Sequence, residues 1–361
     1  MIDAGFPIIT YSAGSTGRER GRIHGESFRA AIAELAAIRR ELMVQKNPGL
    51  SQSKITILAK EQWAQTLWYD SVTADEIAGI SEGAKLSLEE LIVLNNYTDF
   101  RDIEVPDQGC SVIYLNQKHP IAGQTWDMHS TAKNYVCCIQ IEADEPCERQ
   151  VIFSLVGCVG LMGFNGRGLM VGVNNINTSG ARPGVIWPVL IRKLLDRDSL
   201  GSMRELLTTA PVTSGHSYLL ASPNEAEFWE VMPDLAEKIS RIALPERGHL
   251  IHTNHCLGKT SQLREMAAAQ SSTTHVRYGL LEKKIDRVQS FTEAFGLLND
   301  HENYPQAICS NYQTGAQDPS VTCGGALGDL SNGKIAMWRG DELYDTNFVR
   351  HDFKLDLDRS G

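Results

Sequence analysis

The chain has 361 residues, of which 42% are hydrophobic and 22% charged, the composition of a globular protein rather than a disordered or fibrous one. Its formal net charge is -10, which excludes the counterion-driven binding to nucleic acid or anionic membrane that a basic patch would support. The densest basic stretch, Lys283 and Lys284 with Arg287, alternates with apolar residues at helical spacing and reads as a solvated helix face.

The start, MIDAGFPIITYSAG, lacks the basic n-region and apolar h-region of a signal peptide. No apolar run approaches the roughly 20 residues of a membrane span. The eight cysteines show no CxxC spacing, so reduced thiols and a cytoplasmic location are expected.

The first hundred residues read as helices. Residues 18 to 46 place Ile23, Phe28, Ile32, Leu35, Ile38 and Leu42 at spacings of three to five, and residues 75 to 97 repeat the pattern. Ser87 followed by Glu90 predicts a capping box at the start of a short helix ending near Asn96. DIEVPDQG, polar and carrying Pro106 and Gly109, reads as a flexible junction.

From Cys110 the texture changes. CSVIYL, YVCCIQIE, QVIFSLVG, GLMGFNG and GLMVGVNN are short, rich in Val, Ile and aromatics, and punctuated by Gly and Asn, so they read as strands. Helical periodicity returns at 185 to 196 and 200 to 210, SYLLAS, EFWEVM and GHLIHTN predict further strands, and 275 to 299 predicts two helices. VTCGGALGDL and GKIAMWRG predict a closing hairpin. Strands and helices in blocks predict an α+β architecture, a four-layer αββα sandwich preceded by a helical segment, with residues 1–109 as the N-terminal part and 110–361 as the catalytic part.

One cysteine among eight is more often a small buried hydrophobe than a nucleophile. Cys110 differs by position, because it follows Gly109 at the join of loop and strand. Glycine presents an unhindered carbonyl and tolerates strained backbone angles. The Cys110 thiol can attack that carbonyl, form a thioester, and release two chains when water enters. The product is an N-terminal cysteine whose α-amine, with a reference pKa of about 7.7 to 8, can take the proton of a thiol of about 8.5. One residue then supplies nucleophile and base.

DQGCSVIY, GQTWD, HTNHCL and NYPQAIC, in that order, together with GISEGAKLSLEELIVLNNYTDF upstream, resemble the isopenicillin N acyltransferase family, the acyl-coenzyme A:6-aminopenicillanic acid acyltransferases. The block order resembles, more distantly, the choloylglycine hydrolases. The resemblance implies an N-terminal-nucleophile hydrolase fold, autocatalytic cleavage before Cys110, and hydrolysis or transfer of an amide-linked acyl group. It implies Cys110 as nucleophile, Asp127 as the carboxylate orienting the new α-amine, and Asn254 as oxyanion donor. Asn174 of GVNN is implied as a second residue at the oxyanion. His216 and Ser217 align with a serine-bearing strand of the family, and Ser217 is a candidate for the acyl pocket. The sequence departs from the penicillin-biosynthetic members at Ser310, where they carry an arginine after NYPQAIC. Either another cation serves here or the substrate differs, so penicillin is not carried over.

The expected activity is hydrolysis of a small N-acyl or aminoacyl amine, such as a β-alanyl amine, with acyl transfer from a coenzyme A thioester as the close variant. The expected partners are that small amide and the chain's own cleaved N-terminal fragment. A cysteine protease using His252 or His255 on an uncleaved chain, and an uncleaved ligand-binding relative, are the competing readings. His252, His255 and Cys256 offer donors within HTNHC but no fourth at structural spacing, so neither metal nor cofactor is expected.

Overall fold

The computed structural model describes residues 1–46, 49–102, 110–116, 118–266, 273–310 and 320–358. The N-terminal segment opens with strand β1 (Ile8–Tyr11) and continues through α1 (Gly17–Ser27), α2 (Arg29–Lys46), α3 (Gln52–Tyr69), α4 (Ser71–Ala84), α5 (Leu88–Asn95) and α6 (Tyr97–Asp102). The helix expected over 18 to 46 is broken at Phe28, whose φ of -121° leaves the helical range. The Ser87–Glu90 capping box forms with both of its hydrogen bonds. Helices α1 and α4 approach so closely that a Cβ at Gly21 would lie 1.9 Å from the Glu76 carbonyl oxygen, and one at Gly79 would lie 2.3 Å from that of Arg18. The glycines of GISEGAK are therefore contact points between helices.

Strands β2 (Val112–Asn116), β3 (Ile121–His129), β4 (Val136–Ile141), β5 (Gln150–Leu155), β6 (Met162–Asn165) and β7 (Met170–Asn175) come next, then α7 (Trp187–Leu195) and α8 (Leu200–Thr209). They are followed by β8 (His216–Ala221), β9 (Glu225–Met232), β10 (Leu235–Ala243), β11 (Gly248–His252), α9 (Thr274–Lys284), α10 (Phe291–Leu298), β12 (Ser320–Asp329), β13 (Lys334–Arg339) and β14 (Val349–Lys354). Among the described residues the strands form an eight-stranded sheet, β1-β4-β5-β6-β7-β8-β9-β10, and a six-stranded sheet, β11-β2-β3-β12-β13-β14.

Alternation along β2 shows how the layers stack. Val112 and Tyr114 join the large core shared with the eight-stranded sheet, while Ile113 and Leu115 join a second core with Leu281 and Ile285 of the α9 region and Phe295 of α10. Both faces of the strand are buried, so its sequence is apolar throughout. Helices α7 and α8 cover the outer face of the eight-stranded sheet. The result is the α+β sandwich in αββα order that the sequence predicts.

Four strands escape the sequence pattern, among them β3 (Ile121–His129), which none of the predicted strands covers. β10 and β14 are edge strands with charged, half-exposed residues, and β1 is four residues long within an otherwise helical segment. β1 pairs in parallel with β4, so the N-terminal segment contributes a strand to the catalytic sandwich as well as the helices beside it.

Candidate active site

Cys110 lies two residues before β2 and Asp127 lies in the neighbouring β3, so antiparallel pairing brings them to the same end of the six-stranded sheet. The Thr125 N–H donates to the Ser111 carbonyl at 3.0 Å and the Ser111 N–H to Thr125 Oγ1 at 3.0 Å, closing the pair around the cysteine. Gln124 joins the two sheets at this end: its Nε2 donates to the Val173 carbonyl at 2.6 Å and its Oε1 accepts from the Val173 N–H at 2.7 Å. The other half of the proposed cleavage pair, Gly109, lies outside the described residues.

The Cys110 thiol is buried. Burial pushes it up to about 12 and the Asp127 charge pushes the same way, against a hydrogen bond from the Asp127 N–H, the charge of Arg277 and a contact with Gln124. Burial also pushes the Asp127 carboxyl up to about 6, opposed by the Arg277 charge and by Thr322. Thr322 Oγ1 donates to Asp127 Oδ1 at 2.7 Å, from a position directly opposite it on β12. The same hydroxyl accepts the Ser310 N–H at 2.8 Å. Ser310 therefore meets Asp127 through Thr322, while its own Oγ donates to the Pro305 carbonyl at 3.4 Å.

Asn254 follows β11. Its N–H donates to Thr274 Oγ1 at 2.7 Å, its Nδ2 to the Asn175 carbonyl at 2.8 Å, and its Oδ1 accepts from Arg277 Nη2 at 2.8 Å. Asn174, on β7, donates from Nδ2 to the carbonyls of Thr253 at 2.7 Å, His252 at 3.1 Å and Cys110 at 3.3 Å. Both of its amide hydrogens are thus engaged, and its buried Oδ1 has no hydrogen-bond partner among the described residues. Ser217 pairs with Asn174 across β7 and β8, which puts the two side chains on one face. Its buried Oγ has no partner among the described residues. His216, one residue earlier on β8, packs against Trp187 and lies 3.5 Å from Asp99.

Arg277 is the site residue that sequence reasoning missed. It is buried on α9, and its Nη1 donates to the Cys110 carbonyl at 2.8 Å and to Ser111 Oγ at 3.1 Å. Burial lowers its pKa and the negative charge of Asp127 opposes that. Among the described residues no carboxylate lies within ion-pair distance of it. A signal was available: Thr274, Arg277 and Leu281 share the buried face of α9 at helical spacing, and an arginine on such a face needs a polar destination. The histidines of HTNHC are otherwise occupied. His252 Nε2 lies 3.0 Å from Glu230 Oε1, and His255 Nδ1 contacts Thr274 Oγ1 at 2.9 Å, with burial depressing its pKa to about 4.

A thiol, a carboxylate, a guanidinium and two amides thus meet at one sheet end. A protein-family model described as acyl-coenzyme A:6-aminopenicillanic acid acyl-transferase matches residues 115–337. The chain belongs to this acyltransferase family. The match covers Asp127, Asn174, Asn254, Arg277 and Ser310, and begins after Cys110. A curated relative, the acyl-coenzyme A:6-aminopenicillanic-acid-acyltransferase 40 kDa form of Emericella nidulans, is 28% identical over 306 residues, or 82% of this chain and 77% of the relative. Among solved structures, a mutant of the conjugated bile acid hydrolase from Clostridium perfringens covers 68% of this chain and 94% of its own, at 12% identity and TM-score 0.36. Penicillin V acylase from Agrobacterium tumefaciens covers 70% and 89%, at 13% identity and TM-score 0.35. As an acyltransferase-family member the chain is an enzyme, and the amidohydrolase or acyltransferase class expected from its sequence agrees with that family.

Proposed function

We propose that this acyltransferase-family enzyme processes itself at Gly109–Cys110 and then cleaves a small N-acyl or aminoacyl amine, for example a β-alanyl amine, through an acyl-Cys110 thioester. The observation that carries the reading is the convergence on Cys110 of Asp127 from β3 and Arg277 from α9, with Arg277 also holding Asn254 from the turn after β11.

In the uncut chain the thiol is a weak acid, held up to about 12, and Asp127, at about 6, is a poor match as its base. Such a mismatch suits a step performed once per molecule. The thiol attacks the Gly109 carbonyl carbon, the C–N bond breaks as Cys110 nitrogen takes a proton, and water hydrolyses the thioester to free the Gly109 carboxylate. The new α-amine, with a reference pKa of about 7.7 to 8, is a much closer base for turnover. Asp127 orients it. The thiolate then adds to the substrate carbonyl carbon, with the Asn254 NH2 stabilising the oxyanion. The C–N bond breaks as the amine leaves with the proton that the α-amine took from the thiol, and water or a second amine takes the acyl group from Cys110.

Fragments 1–109 and 110–361 are expected to stay together. The first supplies β1 to the sheet, and its buried Glu76 pairs with Arg192 of α7 through bonds of 2.9 and 3.0 Å. Breaking such a pair would strand a buried charge at a cost of about 3–5 kcal/mol. The eight free thiols support a reducing, cytoplasmic setting. The name of the Emericella nidulans relative favours acyl transfer from a coenzyme A thioester as a second reading, which requires an amine acceptor held at high effective concentration.

Intact-mass measurement tests the processing step. Wild-type protein should resolve into fragments 1–109 and 110–361, and Cys110→Ala should remain one chain. A wild type that stays whole for days at neutral pH yet turns over N-acyl amines would falsify the self-processing scheme.

A further inference from the structure

Behind the active site, and unused by the scheme above, three donors of different chemistry come together. The turn after α10 is closed by the Cys309 N–H donating to the Asp300 carbonyl at 3.0 Å, which brings His301 and Cys309 to the same side. Asp341 reaches them from the loop after β13. Its Oδ2 lies 3.8 Å from Cys309 Sγ and its Oδ1 lies 3.1 Å from His301 Nε2. All three ligand atoms lie within 4.8 Å of one another.

Their satisfaction by protein partners is incomplete. Asp341 Oδ1 is fixed by the N–H groups of Leu343 at 2.8 Å and Tyr344 at 3.2 Å. The His301 side chain is 10% exposed, and among the described residues neither of its ring nitrogens makes a hydrogen bond, although Nε2 lies close to Asp341. The Tyr344 ring packs edge-on against it at 4.9 Å.

We propose that His301, Cys309 and Asp341 form a binding site for a thiophilic divalent cation of the zinc class. Tetrahedral ligation at about 2.0–2.3 Å places ligand atoms roughly 3.3–3.6 Å apart, so modest contraction of the observed cluster completes three positions. A thiolate, a carboxylate and a neutral imidazole carry a charge that balances a dication. The Cys309 proton leaves to solvent on binding, and a water completes the tetrahedron. No short metal-binding spacing marks this site in the sequence, because these ligands are joined by the fold rather than by a motif.

The site positions and does not catalyse. Cys309 precedes Ser310, whose N–H holds Thr322 Oγ1, which in turn holds Asp127. A cation here would tie the turn after α10 to the loop after β13 and brace that relay from behind.

The test uses full-length protein made metal-free, titrated with Co²⁺ as spectroscopic probe and then with Zn²⁺ in competition against a chromophoric chelator. The proposal expects one Co²⁺ per chain with a near-ultraviolet thiolate charge-transfer band, lost in Cys309→Ser and retained in Cys110→Ser. It expects Zn²⁺ affinity to fall about tenfold or more in His301→Gln and in Asp341→Asn. Those two variants decide the matter if Cys309→Ser does not fold. Absence of uptake, a band that survives Cys309→Ser, or one that vanishes only in Cys110→Ser would overturn the assignment. None of these readouts depends on self-processing or turnover.

Discussion

Arg277 Nη2 donates to Asn254 Oδ1 at 2.8 Å, and this bond decides which way the Asn254 amide points. A guanidinium can only donate and the Asn175 carbonyl can only accept, so Oδ1 must face Arg277 and Nδ2 must face Asn175, as found. One amide hydrogen remains for an oxyanion. Asn174 has none to spare, since its Nδ2 already serves three carbonyls.

Asn254→Ala should therefore fold normally and lose roughly a hundredfold or more in turnover, the range for removal of one oxyanion donor, with a smaller change in KM. Arg277→Lys should approach the same loss, because an ammonium cannot span the Cys110 carbonyl and Asn254 Oδ1 together. Steady-state kinetics on the processed enzymes decides. Wild-type turnover in Arg277→Lys would mean that the amide is oriented by other groups.

The Asp127 carboxyl, raised to about 6 in the uncut chain, makes a signed prediction about stability. Its unfolded value is about 4, so between pH 4 and 6 the folded chain binds more protons than the unfolded one. The stability from this group is fully present below about pH 4 and is lost as pH rises through about 6. In a Cys110→Ala background, the Tm difference between Asp127→Asn and the parent should shift in favour of Asp127→Asn across that window. A pH-independent difference would place the Asp127 pKa near its ordinary value.

Ser310→Arg places a cation beside the Thr322–Asp127 pair. It should lower the Asp127 pKa and move the acid limb of self-processing, followed by fragment formation in newly translated chain, to lower pH. The wild-type pocket should also prefer neutral or cationic amides over substrates with a carboxylate near the amide nitrogen, and Ser310→Arg should narrow that preference in kcat/KM. A wild-type preference for the carboxylate, unchanged by the substitution, would assign its recognition to another cation.

Gly21→Ala tests how the N-terminal segment is held. The added Cβ would meet the Glu76 backbone at 1.9 Å, and a helix backbone can yield only by moving the whole helix. A loss of about 1–3 kcal/mol is expected, read as a lower denaturant midpoint with unchanged slope. Full stability would mean that α1 and α4 separate without cost.

What the sequence determined by itself is local or carried by family likeness. The capping box at Ser87 needs residues three apart. The apolar run after Cys110 signals a strand buried on both faces. The ordered blocks around Cys110, Asp127 and Asn254 identify the family without any knowledge of contacts. What only the tertiary structure decided lies far apart in the chain: Arg277 meets Cys110 across 167 residues and Thr322 meets Asp127 across 195. Periodicity along a helix can mark Arg277 as facing inward, but not what it faces, because that depends on which sheet end α9 covers. β1 was hidden for the same reason, since four residues become a strand only when β4 is present to pair with them. The local pattern specifies which face of an element is buried, and the packing of layers alone specifies its partner.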